Sequence, residues 1–80
     1  MEAPITLFAP ATCVIRVRGA LSADWSDSMQ DMAITVDRSG SAPITELVGW
    51  LNDQAALHGV LAALYELGMP LLSVDCAGTS

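Results

Sequence analysis

The stretch DQAALHGVLAALYELGMP, residues 53–70, decides the fold. Asn52 or Asp53 offers a side-chain oxygen to cap a helix, the apolar periodicity carries that helix to Leu67, and Gly68 supplies a left-handed stop with Pro70 just beyond. On a wheel of 3.6 residues per turn, Leu57, Val60, Leu61, Leu64 and Leu67 form one stripe, which faces a sheet. The opposite side should carry charge and instead reads Ala55, Gly59, Ala62, Ala63 and Glu66. A glycine inside a helix costs about 1 kcal/mol relative to alanine. A stripe of small residues lets another backbone come close. Between an alanine-rich wet face and a contact with another chain or element, the contact is the preferred reading.

Upstream of the helix the period changes to two. Cys13, Ile15 and Val17 alternate with Val14, Arg16 and Arg18, a half-buried strand ended by Gly19 with both arginines on its wet side. These arginines read as solvating the sheet and pairing with Asp37, with an anion clamp as the other use. Ser22 caps a short turn or helix through Gln30, and Trp25 and Met29, four apart, are expected to share its core-facing side. Met32, Ile34 and Val36 point inward along a second strand, Met32 to Asp37, and Arg38-Ser39-Gly40-Ser41 turns the chain. Pro43 opens a third strand, Ile44 to about Trp50, in an antiparallel hairpin with the second. The last strand runs from Leu71 to Cys76. Residues 1–11, with Pro4 and Pro10, read as an extended arm, and 77–80 as a tail.

The expectation is one α+β domain over residues 1–80, ordered β-(short α)-β-β-α-β. It would hold a small, mainly antiparallel sheet of about four strands with the main helix packed on one face. The last strand is expected parallel beside the first, after a right-handed crossover from the third.

Composition narrows the function. The chain is 52% hydrophobic and 15% charged, with a mean hydropathy of +0.48, against about 25% charged in ordinary domains. So little charge leaves apolar surface that must meet a second surface, most simply a second copy. Net charge is −6, with three arginines and no lysine, which argues against nucleic acid and anionic membranes as partners. The N-terminal segment lacks a basic start and is broken by Pro4, Pro10 and Arg16, so it does not read as a leader. The longest apolar run, Gly59 to Leu64, is far below a membrane span of about 20 residues. Cys13 and Cys76 have no metal spacing and read as buried thiols in a reducing cytoplasm. A disulfide between them requires the first and last strands to be neighbours.

Few residues carry reactive chemistry. His58 lies on the helix flank with Tyr65 almost directly above it, and Asp53 and Gln54 lie one turn below. A histidine near a carboxylate can act as a general base, so His58, Asp53 and Tyr65 are the weak catalytic candidates, against a boundary histidine bonded to backbone or partner. Asp24, Asp27 and Asp31 crowd one segment but lack the glycine and glutamate of a calcium loop, so they read as a solvated acidic face. Trp25 and Trp50 either floor an apolar pocket or anchor an interface, or equally plug the open end of the sheet. No metal or cofactor is implied.

The segment Asp53-Gln54-Ala55-Ala56-Leu57-His58-Gly59-Val60-Leu61, followed by Leu67-Gly68-Met69-Pro70-Leu71-Leu72-Ser73-Val74, resembles a group of small bacterial proteins of about this length. They share a D-Q-A-A-L-H-G-x-L helix start, an L-G-x-P-L-L-S-V exit and a Trp-containing turn after an early strand ending in Arg-Gly, here Arg18-Gly19 and Trp25. The likeness covers residues 13 to 75 and implies relatives, not an activity. Only Gln54 and His58 in it are polar beyond the needs of the fold.

Two function classes follow. The preferred one is a non-enzymatic interaction module, homodimeric or docked on a larger protein through Gln54, Ala55, His58, Gly59, Ala62, Tyr65, Trp25 and Trp50. The other is a small cofactor-free enzyme or ligand binder doing proton-transfer chemistry, of isomerase or cyclase type, in an apolar pocket near Trp25, Trp50, His58 and Tyr65.

Overall fold

A computed structural model describes residues 10–78. The expected arm therefore lies almost wholly outside the described residues, as do Thr79 and Ser80 of the expected tail. Strand β1 (Ala11–Arg18) is followed by a 3-10 helix (Ala23–Met29), β2 (Ala33–Asp37), β3 (Ile44–Leu51), the helix α1 (Gln54–Glu66) and β4 (Leu71–Gly78). Four strands form one open antiparallel sheet in the order β2-β3-β1-β4, with α1 on one face, as the period-two and period-3.6 segments require. Ala77 and Gly78 belong to β4, not to a tail.

The last strand does lie beside the first, but antiparallel to it. The reason is the length of α1. Thirteen residues rise about 20 Å, enough to carry the chain from the foot of β3 back to its head. β4 must then descend in the same direction as β3. Because β1 sits between them and pairs antiparallel with β3, it is antiparallel to β4 as well.

That adjacency settles the cysteines. Cys13 and Cys76 are directly opposite in the β1–β4 register and form a disulfide across 63 residues of sequence. The expectation of free thiols is thus corrected. The condition stated for a disulfide, that the first and last strands be neighbours, is met.

The core lies between the sheet and α1. Ala11, Cys13, Ile15 and Val17 of β1 are fully buried, and Leu47 and Leu51 of β3, Met29, Met32, Leu57, Val60 and Leu64 close over them. Gly49 makes room for Met32, since a Cβ there would lie 3.0 Å from its Cγ and 3.1 Å from its Cα. The loop after β1 is locked by Thr45, the one buried polar side chain among the described residues. Its hydroxyl donates to the Gly19 carbonyl at 2.6 Å and accepts the Leu21 N–H at 3.0 Å. The Gly19 N–H donates to the Pro43 carbonyl, with Gly19 at φ 112°, a conformation that disfavours side chains.

Two packing expectations shift. Trp25 does not share the buried side of Met29, because a 3-10 helix stacks residues three apart; Met29 is buried and Trp25 is 41% exposed. Leu67 is 40% exposed, because α1 ends at Glu66 and Gly68, at φ 76°, turns the chain away. The helix cap itself is as read: the Asp53 carboxylate accepts the Ala56 N–H at 2.9 Å.

Two substitutions test these locks. Thr45→Val keeps the shape but strands the buried Leu21 N–H, so chemical denaturation should show a loss of about 1–3 kcal/mol. Reduction of the disulfide frees a long loop in the unfolded chain and should lower stability by about 2–5 kcal/mol in paired denaturation curves with and without reductant. Superposable curves would mean that the cross-link does not constrain the unfolded state.

Candidate functional site: an apolar groove beside an open edge strand

The sheet is covered unevenly. The 3-10 helix packs on β2 and α1 on β3, while β4 lies at the margin. Along β1 every helix-side residue is fully buried, yet Val74 and Cys76, their counterparts on β4, are only partly so, and Leu71 and Leu72 are 52% and 50% exposed. A bulge where the register shifts between Arg16 and Val17 opens this end further.

The result is a groove of about 610 Å³ between the flank of α1 and the start of β4. His58, Leu61, Ala62 and Tyr65 form its helical wall, and Met69, Pro70 and Leu71 close the other side. Helical geometry explains the wall: positions 58, 61, 62 and 65 are three or four apart and stand over one another. Leu61, expected on the sheet-facing stripe, sits at its margin and is partly buried. Among the described residues no Asp, Glu, Lys or Arg side chain lines the groove.

The other candidates fall elsewhere. Trp50 is 53% exposed and pairs with Thr12 on the sheet face away from α1, because its neighbour Leu51 takes the core position. Trp25 borders a neighbouring cleft with Leu67, Gly68 and Met69. The expected pocket of Trp25, Trp50, His58 and Tyr65 therefore does not form; only His58 and Tyr65 meet. Asp53 is engaged by the helix cap and does not line the groove, so no carboxylate stands ready to pair with His58 there. Gln54 is partly buried at the first turn of α1. Asp24, Asp27 and Asp31 do not converge: among the described residues no three His, Cys, Asp or Glu side chains gather where they could hold a metal ion.

The far face of the sheet is polar. Arg16 pairs with Glu46, its cross-strand neighbour, at 3.3 Å rather than with Asp37. Asp37 is held below the usual carboxylate range mainly by the hydroxyl and N–H of Ser39, which close the β2–β3 turn, and to a smaller degree by the charge of Arg16. Met69, Pro70 and Leu71 were not recognised as site residues from sequence. Their signal was the apolar continuation past the helix stop, which reads equally as an ordinary buried strand.

The small stripe of α1 divides: Ala63 is half-buried against the core and Ala62 lines the groove, while Gly59 meets nothing among the described residues. Ala55, Gly59 and Ala62 are exposed, and a Cβ at Gly59 would find no atom within 4 Å. Gly59 therefore makes no contact with another element among the described residues. Gly59 points away from the groove, on top of the helix, where alanine should raise stability by up to about 1 kcal/mol in thermal or urea melts. A loss on Gly59→Ala would instead place the stripe against another chain.

Comparison with curated proteins and with solved structures gives no match. Residues 12–75, the span that holds α1, the groove, β2, β3 and most of β1 and β4, match one family, so the chain belongs to the family described as Domain of unknown function (DUF8691).

Proposed function

We propose that this protein is a non-enzymatic interaction module, with the groove between α1 and β4 as its contact surface for a protein. The observation that supports this reading is the combination of a mainly apolar groove with exposed Tyr65, Leu71 and Leu72 in a domain only 15% charged. An exposed patch of this kind on a small domain marks a contact site. Aromatic side chains such as Tyr65 are favoured anchors there. The partner is a second copy or a larger protein.

The volume of the groove also falls within the range of ligand sites, about 300–1,000 Å³, which supports a small-molecule reading. Proton-transfer chemistry is less well supported, because among the described residues no carboxylate lines the groove beside His58. Among the described residues no helix is long and apolar enough to cross a membrane. Cystines persist in oxidising compartments, so the Cys13–Cys76 bond favours a non-reducing location over the cytoplasm expected from sequence.

A photoreactive benzophenone side chain in place of Tyr65, which is 84% exposed and tolerant of change, tests the module in its native cell. Illumination should give one discrete protein adduct, abolished when Leu71→Asp puts a charge into the groove. A groove that yields no protein adduct while binding apolar small molecules in solution would overturn the proposal in favour of a ligand site.

A further inference from the structure

We infer that the occupant of this surface is a second copy of the chain, joined edge to edge through β4 in an antiparallel pair centred on Val74. This rests on the interaction reading and names its partner.

Among the described residues the sheet has two edges, β2 and β4, and they differ. β2 is short, five residues, and ends in Asp37 and the Ser39 turn. β4 is eight residues long, LLSVDCAG, with no proline, lysine or arginine and one carboxylate. Native proteins guard exposed edges with such residues, and β4 has almost none. Its backbone groups are a template for another strand.

The register follows from the ladder to β1. Cys13 and Cys76 have their Cα atoms 4.0 Å apart. That separation belongs to a non-hydrogen-bonded antiparallel pair, since hydrogen-bonded pairs stand at about 5.5 Å. The N–H and C=O of Cys76, and of Val74 two residues earlier, therefore point away from β1 towards the open edge. A twofold axis at Val74 lets each Val74 exchange both backbone bonds with its symmetry mate. Asp75 then stands opposite Ser73 of the second copy, whose hydroxyl can donate to the carboxylate. A register centred on Asp75 would use the same outward groups of Val74 and Cys76, in a non-hydrogen-bonded central pair, but would set two like charges directly opposite each other.

The same axis, normal to the sheet, keeps both α1 helices on one face. The two grooves, each lacking an outer wall, then join over β4 and its mate, and one isologous contact closes edge and groove together. The β4 side of the molecule is about 26 Å long and as deep as the 22 Å smallest extent of the domain. That face, roughly 500–600 Å² in projection, approaches with its relief the about 800 Å² per partner of standard interfaces. A peptide strand from another protein would satisfy the edge but leave the groove open.

The test uses the purified, oxidised chain. Sedimentation should show a dimer forming at micromolar concentration. Amide hydrogen exchange by NMR should show Val74 and Cys76 becoming protected as concentration rises, while Ser73 and Asp75, bonded to β1, are protected throughout. Val74→Pro removes an outward N–H and should weaken dimerisation by about tenfold or more. A monomer at every concentration, or a dimer whose Val74 and Cys76 amides exchange freely, would overturn the pairing. The Tyr65 cross-link separates the two failures: a discrete adduct with a different protein keeps the module and discards self-pairing, whereas no adduct discards the module.

Discussion

Strand β1 is paired on both sides and its whole helix-facing row is buried, so every other element is placed by its relation to it. β3 takes one side, because the hairpin with β2 leaves only one β3 edge free. β4 takes the other, tied by backbone pairing and by the Cys13–Cys76 bond. The loop leaving β1 is held to β3 through Thr45, which fixes where the 3-10 helix sits over β2. With that side of the sheet occupied, α1 packs towards β3, and β4 is left with a half-covered face. The groove is thus a consequence of the core arrangement.

Local signals in the sequence translated faithfully because each is set by neighbouring residues. Alternation over Cys13–Arg18 follows from the two-residue period of a strand, and the Asp53 cap and Gly68 stop follow from unpaired backbone groups at helix ends. The direction of β4 was not local. It depends on how far α1 carries the chain and on which strand intervenes, and both enter only when the sheet is assembled. The disulfide, conditional in the sequence on the first and last strands being neighbours, depends on the same assembly. The two misplaced aromatic expectations have simpler causes: a turn wound as a 3-10 helix rotates Trp25 off the Met29 side, and strand parity puts Trp50 on the far face once Leu51 is buried.

For the site, half of the wall was legible. His58 and Tyr65 are seven apart on a helix and had to share a flank. Met69, Pro70 and Leu71 reach the groove from the turn beyond Gly68, where periodicity ends and side-chain direction is unreadable. Of the small stripe, conspicuous in sequence, Ala55 and Gly59 face solvent within the single chain, while Ala63 packs against the core. Its alanines suit helix propensity, and the bulkier flank below it, Leu61 and Tyr65, faces the uncovered strand.

The disulfide also bears on how β4 meets a partner. An edge strand held by backbone bonds alone frays, and a partner that adds to it must first order it, at a cost of about 1–2 kcal/mol per residue fixed. The Cys13–Cys76 bond joins β4 to the most buried strand in the domain, within two residues of Val74, whose outward N–H and C=O lie on the open edge. Much of the ordering is therefore complete before association, and binding to an ordered edge loses less entropy than binding to a loose one. An apolar, unguarded edge is normally a hazard. Held rigid at one register, with Asp75 placed to disfavour the shifted pairing, it accepts one partner arrangement over the others.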